Sequence, residues 1–262
     1  MRDLGLDQAI QAAGGVSELA RKIGISQPSV SNWSRIPAER VATVEEVTGV
    51  DRAVLRPDLF RERLNMAGEV DEIDSARAQE YALLAALLAR APDAEFLSRL
   101  SSLRGDATPL GLAHMALAEA ANQADADRVS REYFDLFIGI GRGELLPYAS
   151  YYLTGFLHDR PLARLRADLQ VLGIERAEGN AEPEDHAAIL CEIMAGVVGG
   201  RFAAPEETDR ELFKKHMIPW IGRFFADLER AECADFYRRV GALGQVFIQI
   251  EMEAFALPSE KA

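Results

Sequence analysis

From residue 76 onward the apolar residues of this 262-residue chain recur at helical spacing and never settle into the strict alternation of a half-buried strand. In "ARAQEYALLAALLARA", 76–91, Tyr81, Leu84, Leu87 and Leu88 mark one face of a helix that Ser75 is expected to cap and Pro92 to stop. Similar amphipathic runs lie at about 93–103, 109–124, 126–138, 161–172, 183–198, 208–217 and 234–256, and no repeat of fixed period relates them. The pattern predicts one all-helical domain over 76–258. Before it, "ERLNMAGEVDEIDS" at 62–75 is polar, contains a glycine and carries no sustained period, which predicts a linker. Residues 1–61 are then a small separate domain, and the fold class is all-α throughout.

Within the small domain, "VSELARKIGISQPSVSNW" at 16–33 places Ala20 in a first helix, Gly24 in a tight turn and Val30 in a second helix. Two helices that cross steeply need a small residue at the approach, a turn residue tolerant of positive φ and apolar residues between them. Ala20, Gly24 and Val30 meet those needs, with Leu19, Ile23, Ile25 and Trp33 in the shared core. Ser26 suits an N-cap and Pro28 the first turn. The second helix is expected to present Ser26, Gln27, Ser29, Ser31 and Asn32, with Arg35 just beyond. Gln and Asn pair with adenine edges in the major groove, while Ser and Arg serve phosphates or guanine. The segment resembles the YdaS-like branch of the Cro/repressor helix-turn-helix family, in "GGVSELARKIGISQPSVSNW" and "IPAERVATVEEVTGVDRAVLRPD". That resemblance covers about residues 5–58 and implies a five-helix DNA-binding domain that acts as a homodimer.

Charge divides the chain in the same place. Residues 1–65 hold nine Lys/Arg and nine Asp/Glu, so the 20 basic and 33 acidic residues that follow carry the whole net charge of −13. A surface this acidic repels phosphate backbones and attracts cationic partners. The neutral first domain has little long-range pull on DNA, because phosphate contacts dominate that affinity. A protein-contact or dimerisation role therefore stands beside DNA binding. No apolar run approaches the roughly 20 residues of a membrane span, and the first 15 residues lack a basic start followed by an apolar stretch, so a cytoplasmic location is expected. Cys191 and Cys233 form no CxxC pair, which argues against a disulfide framework or a zinc site.

Three features between 132 and 194 invite chemical readings. Gly139, Gly141 and Gly143 mimic a phosphate loop, but they follow a helix, no Lys-Ser/Thr succeeds them, and Glu144 would repel the anion, so an interhelix loop is expected. In "PYASYYLTGF", Tyr148, Tyr151, Tyr152 and Phe156 cluster at helical spacing, fitting either core or the wall of a peptide groove. In "AEPEDHAAIL", Pro183 suits the first helical position, and Glu182, Glu184 and Asp185 meet the positive end of the helix dipole. One acceptor suffices for a cap, so the mutual repulsion of three carboxylates also fits a site for an external cation. His186 shares a face with Leu190, Ile193 and Val197, turning its ring inward. His114, His158 and His216 offer no paired spacing for a metal. There is no G-x-S-x-G or H-E-x-x-H, and adjacent Asp185 and His186 diverge by about a hundred degrees on a helix, so no catalytic residue is expected.

Residues 76–256 resemble the TorD/DmsD/NarJ family of redox-enzyme maturation chaperones. The resemblance rests on "YLTGFL" at 152–157, "RPL" at 160–162 and above all "EPEDH" at 182–186, which matches the family's E-P-x-D-H loop. It implies an all-helical, non-catalytic domain that needs no cofactor of its own. It also implies cytoplasmic binding of a molybdopterin-enzyme precursor, such as a formate dehydrogenase or a dimethyl-sulfoxide-reductase-type enzyme, often at a twin-arginine leader. By matching position, Glu182, Pro183, Asp185 and His186 carry the family's motif, while Glu184 fills its variable place. An acidic loop there would pair with leader arginines, with Tyr148 and Tyr152 receiving the apolar stretch. The attached helix-turn-helix departs from the family pattern and keeps a second role open, a transcription regulator whose helical domain senses client or leader.

Overall fold

The computed structural model describes residues 3–50, 52–56, 71–175, 182–202 and 204–256, and the chain divides into two compact units, Met1–Asp71 and Glu72–Ala262. Among the described residues there is no β-strand, in agreement with the all-helical pattern.

The first unit contains α1 (Leu4–Ala13), α2 (Val16–Lys22), α3 (Gln27–Ser31), a 3-10 turn at Ala38–Arg40, α4 (Val41–Thr48) and α5 (Arg52–Leu55). Among the described residues this unit holds five α-helices. Asp3 opens α1 by accepting the Leu6 amide at 2.9 Å. The α2–α3 turn forms as the sequence requires: Gly24 has φ of +70° and the Ile25 amide reaches back to the Ala20 carbonyl at 3.0 Å. Leu19, Ala20, Ile23 and Val30 are buried with Leu6, Ile36, Val44 and Leu55, and Ile25 and Trp33 pack on them half-buried.

In the second unit, α6 (Glu72–Ala89) begins earlier than expected. Glu72–Ser75, assigned to the linker, is its first turn, because Glu72 and Asp74 favour the positive end of the helix and Asp74 pairs with Arg77 one turn on. Ser75 therefore lies inside the helix rather than capping it. Residues 62–70 of the expected linker and residues 257–258 of the expected domain lie outside the described residues. Then follow α7 (Ala94–Leu100), α8 (Pro109–Gln123) and α9 (Ala126–Tyr133), opened by Asp93, Thr108 and Asp125 accepting backbone amides. The run at 126–138 ends in a π turn, Phe134–Ile138, closed by the Gly139 amide on the Phe134 carbonyl.

Next come α10 (Ala149–Thr154), α11 (Arg160–Val171), α12 (Ala187–Val198), α13 (Thr208–Leu212) with a second π turn at Phe213–Met217, α14 (Ile221–Arg230) and α15 (Phe236–Ala256). The periodicity reading does not include α14, although Ile221, Phe224, Phe225 and Leu228 repeat at i, i+3, i+4 and i+7, and all four are buried. Close packing of α14 on α15 depends on Gly244, where a Cβ would stand 2.2 Å from the Phe225 ring, and on Gly241, where it would stand 2.5 Å from the Glu229 amide nitrogen. Tyr81, Leu84, Leu87 and Leu88 of α6 are buried as expected and belong to one core with α12, α14 and α15.

One polar cluster ties this core together. Arg77 on α6 contacts Glu251 on α15 at 2.8 Å, Asp209 on α13 at 2.9 Å and Asp74 at 2.6 Å, while the Tyr81 hydroxyl donates to Glu251 at 2.8 Å. Burial opposes the Arg77 charge, but hydrogen bonds and attraction from Glu251, then Asp209 and Asp74, outweigh it and raise the pKa. The Glu251 side chain is 1% exposed, so removing its partner strands a buried carboxylate. Arg77→Met is expected to cost about 3–5 kcal/mol, and Arg77→Met with Glu251→Leu to cost clearly less. Urea unfolding in a Trp33→Phe background, followed through buried Trp220, measures both.

Candidate functional site

The "EPEDH" loop sits where two helices begin. The expected helix at 183–198 starts instead at Ala187, so Pro183 is not its first residue and Glu182, Glu184 and Asp185 do not form its first turn. A competing set of bonds holds the loop instead: the His186 amide closes a turn on the Pro183 carbonyl at 3.1 Å, the Ala149 amide donates to the Asp185 carbonyl at 3.0 Å, and the Ala187 amide to the Pro147 carbonyl at 2.8 Å. Tyr148 and His186 thus form a short antiparallel bridge between the starts of α10 and α12.

Each motif residue has a distinct place in this clasp. Asp185 is buried, and its Oδ2 accepts the Ser150 amide at 2.8 Å, so it caps α10 rather than its own helix. Its Oδ1, like Ser150 Oγ, is buried without a hydrogen-bond partner among the described residues. His186 is the N-cap of α12, with Nδ1 accepting the Ala188 amide at 3.1 Å, which fixes Nδ1 as unprotonated. Burial lowers the His186 pKa, with Glu182 and Asp185 pulling the other way. The Tyr148 ring stands edge-on to His186 at 5.0 Å, and its hydroxyl donates to Glu182. Burial, then the bond to Glu182, raises the Tyr148 pKa. Glu184 pairs with Arg166 of α11 at 2.8 Å. Glu182, Pro183 and Glu184 remain half-buried at the rim while Asp185 and His186 lie beneath.

The loop is therefore not three idle carboxylates, and the repulsion expected among them is relieved inside the chain. Tyr148 joins the loop, but Tyr152 does not. One turn along α10, its hydroxyl donates to Asp227 at 3.0 Å and its ring packs on Trp220 at 5.4 Å. Ser150 and Arg166, both bonded to the loop, escape sequence reasoning because their partners lie 35 and 18 residues away. The glycine loop is tied rather than loose. Leu145 bonds back to Leu136 at 2.8 Å, and the Glu144 carboxylate accepts the Glu232 and Cys233 amides at 2.7 and 3.0 Å. Among the described residues no group of three or more His, Cys, Asp or Glu is placed to hold a metal. No described helix is long and apolar enough to cross a membrane.

In the first unit, Ser26, Gln27, Ser29, Asn32 and Arg35 are exposed on and beside α3, and Ser31 is half-buried. Ser26 occupies the N-cap position but makes no side-chain cap, since its Oγ meets Ser29 Oγ at 2.7 Å. Gln27 donates to Ser31 at 2.8 Å, and Arg35 lies 3.9 Å from Asp3.

Residues 103–226 match the family model described as nitrate reductase delta subunit, a span that includes α10 and the motif loop, and residues 6–64 match one described as bacterial toxin YdaS. The chain is 26% identical over 207 residues to the chaperone protein TorD of Vibrio cholerae serotype O1, covering 70% of this chain and 94% of that one. It is 26% identical over 204 residues to the chaperone protein TorD of Shewanella loihica, covering 69% and 93%. A solved chain from Archaeoglobus fulgidus, described as a candidate redox enzyme maturation protein, gives a TM-score of 0.47 at 19% identity, covering 67% of this chain and 93% of that one. The curated relatives are chaperones by name, not catalysts.

Because His186 binds a proton less readily folded than unfolded, its contribution is fully present above the ordinary value of 6.5 and is lost as pH falls below it. His216, also lowered by burial, has the same sign, and His114, raised by its bond to Glu80, the opposite one. The informative quantity is thus a difference. His186→Asn keeps a capping side chain without the titration, and its urea midpoint should fall less than that of the unaltered chain between pH 7.5 and 5; parallel profiles would remove His186 from the account.

Proposed function

We propose, from a larger unit that belongs to the TorD/DmsD/NarJ family of redox-enzyme maturation chaperones, that this chain binds the precursor of a molybdopterin oxidoreductase in the cytoplasm while its cofactor is inserted. The client is of the formate dehydrogenase or dimethyl-sulfoxide-reductase type, engaged at a twin-arginine leader. The observation that carries this reading is the layered motif loop, with Glu182 and Glu184 at the rim over a buried Asp185 and His186. In this arrangement Asp185 and His186 set the backbone path and the two glutamates meet the client. A leader guanidinium competes with Arg166 for Glu184 and with the Tyr148 hydroxyl for Glu182, exchanging one charge-assisted contact for another. Tyr148 lends an apolar edge beside them. Tyr152, turned toward Asp227 and Trp220, takes part through α10 rather than through the rim.

A second reading is supported by the helix-turn-helix, whose α3 carries Gln27, Ser29 and Asn32 on its exposed side with Arg35 beyond. In it the first unit binds a palindromic operator as a homodimer, and client occupancy of the larger unit shifts that affinity only if two conformations differ in it.

The two readings are measured separately. By titration calorimetry with a synthetic twin-arginine leader peptide, Glu182→Gln with Glu184→Gln should weaken binding about tenfold or more, since hydrogen bonds to charged groups contribute about 1.5–3 kcal/mol. Equal affinity would remove the rim from recognition. In fluorescence anisotropy with operator candidates drawn from the surrounding genome, Asn32→Ala with Arg35→Ala should abolish sequence-selective binding; no selective binding by the unaltered chain at low salt would end the regulator reading.

A further inference from the structure

The two glutamates at the rim of the motif loop are both met by donors of the chain itself, and the donors come from different helices. The Tyr148 hydroxyl at the start of α10 donates to Glu182, and Arg166 of α11 reaches Glu184. The two contacts differ in kind. Tyr148 is neutral and half-buried, whereas Arg166 brings a full positive charge on a side chain that is 50% exposed, against 14% for Glu184. Its Nε donates to Glu184 Oε2 at 2.8 Å, and a terminal nitrogen lies 2.8 Å from the same oxygen, so this guanidinium meets one oxygen rather than spanning both. That is weaker than the two-oxygen fork open to an arginine on a segment free to orient itself.

Arg166 is nonetheless kept within reach. Leu162, Leu165 and Leu169 bury the inner face of α11, and Asp168, two residues beyond Arg166, contacts Lys215 Nζ and His216 Nε2 of the second π turn at 2.6 Å each. The backbone that carries Arg166 is thereby fixed while the guanidinium at its tip faces solvent. A charged group held in this way competes with any incoming cation at a constant high local concentration.

We propose that Arg166 is a built-in competitor for the client site: a guanidinium of the chain's own that holds Glu184 when no client is present, lowers the affinity for an arginine-bearing client segment and speeds its release. This rests on the reading of the rim as the receiving surface. A segment held through both glutamates lets go of one at a time, and Arg166 retakes Glu184 before the segment rebinds it. A purely structural role for the same contact has the opposite sign, since loosening the loop would weaken binding. An exposed ion pair of this kind supports an effect of about two- to sixfold on affinity.

The test uses the full chain and a fluorescein-labelled synthetic twin-arginine leader peptide, with affinity from anisotropy and release from a stopped-flow chase with unlabelled peptide. Arg166→Gln should bind the peptide about two- to sixfold more tightly and release it more slowly by a similar factor, with an unchanged circular dichroism spectrum. Arg164→Gln removes the same charge from an exposed position on the same helix. It should tighten binding less, because a general field decays over about 8 Å at physiological ionic strength. In a Glu184→Gln background the Arg166 substitution should have no further effect. Unchanged or weaker binding by Arg166→Gln, or an equal gain from Arg164→Gln, would overturn the proposal, and would leave the rim as the client site if Glu182→Gln with Glu184→Gln still weakens binding. If that pair of substitutions leaves affinity unchanged, the receiving surface lies elsewhere and the competitor role falls with it.

Discussion

Every helix leaves its first backbone amides without an intrahelical acceptor, and in a structure built from helices those amides must be answered from elsewhere. Here distant carboxylates answer several of them. Asp185 serves the start of α10, and Glu132 accepts the amides of Asp235, Phe236 and Tyr237 at the start of α15. Glu144 accepts two more just before it. Each bond joins segments 35 to 105 residues apart, so these acids fix topology as well as helix ends. Part of the acidity that makes the second unit look like a cation-seeking surface is thus turned inward, toward the positive ends of its own helices.

This accounting changes what the motif loop can be. A pair of buried residues, Asp185 and His186, holds the two helix starts together, and only Glu182, Pro183 and Glu184 lie where an incoming chain can reach them. Shape and charge are divided between adjacent residues. The Asp185 bond to Ser150 fixes the start of α10 against this loop.

Much of the fold is legible in the sequence because burial imposes a period. The α6 face of Tyr81, Leu84, Leu87 and Leu88 and the α2–α3 turn at Gly24 are readable locally, since each depends on neighbours within a turn or two. The start of α12 is not. Pro183 after an acidic residue has every local mark of a helix opening, and a tertiary strand-like pairing with Pro147 and Ala149 overrides it. The linker misreads for the reverse reason: Glu72–Ser75 lacks apolar residues at the right spacing, yet its acids suit a helix start and Arg77 holds one of them. In the motif loop the bonding partners are not legible. Asp185 as a cap for another helix, Glu184 as the partner of Arg166 and the separation of Tyr148 from Tyr152 all depend on long-range contacts that spacing does not encode.

The central claim is that the clasped loop between α10 and α12 is where the client is received. Hydrogen–deuterium exchange of the full chain, with and without a twin-arginine leader peptide, tests it most directly, because amide protection reports local opening segment by segment. Slower exchange on binding at residues 146–154 and 182–190, with α8 and α15 unchanged, is the predicted result. Protection confined to other helices, or bound leader with no change at either helix start, would contradict the account.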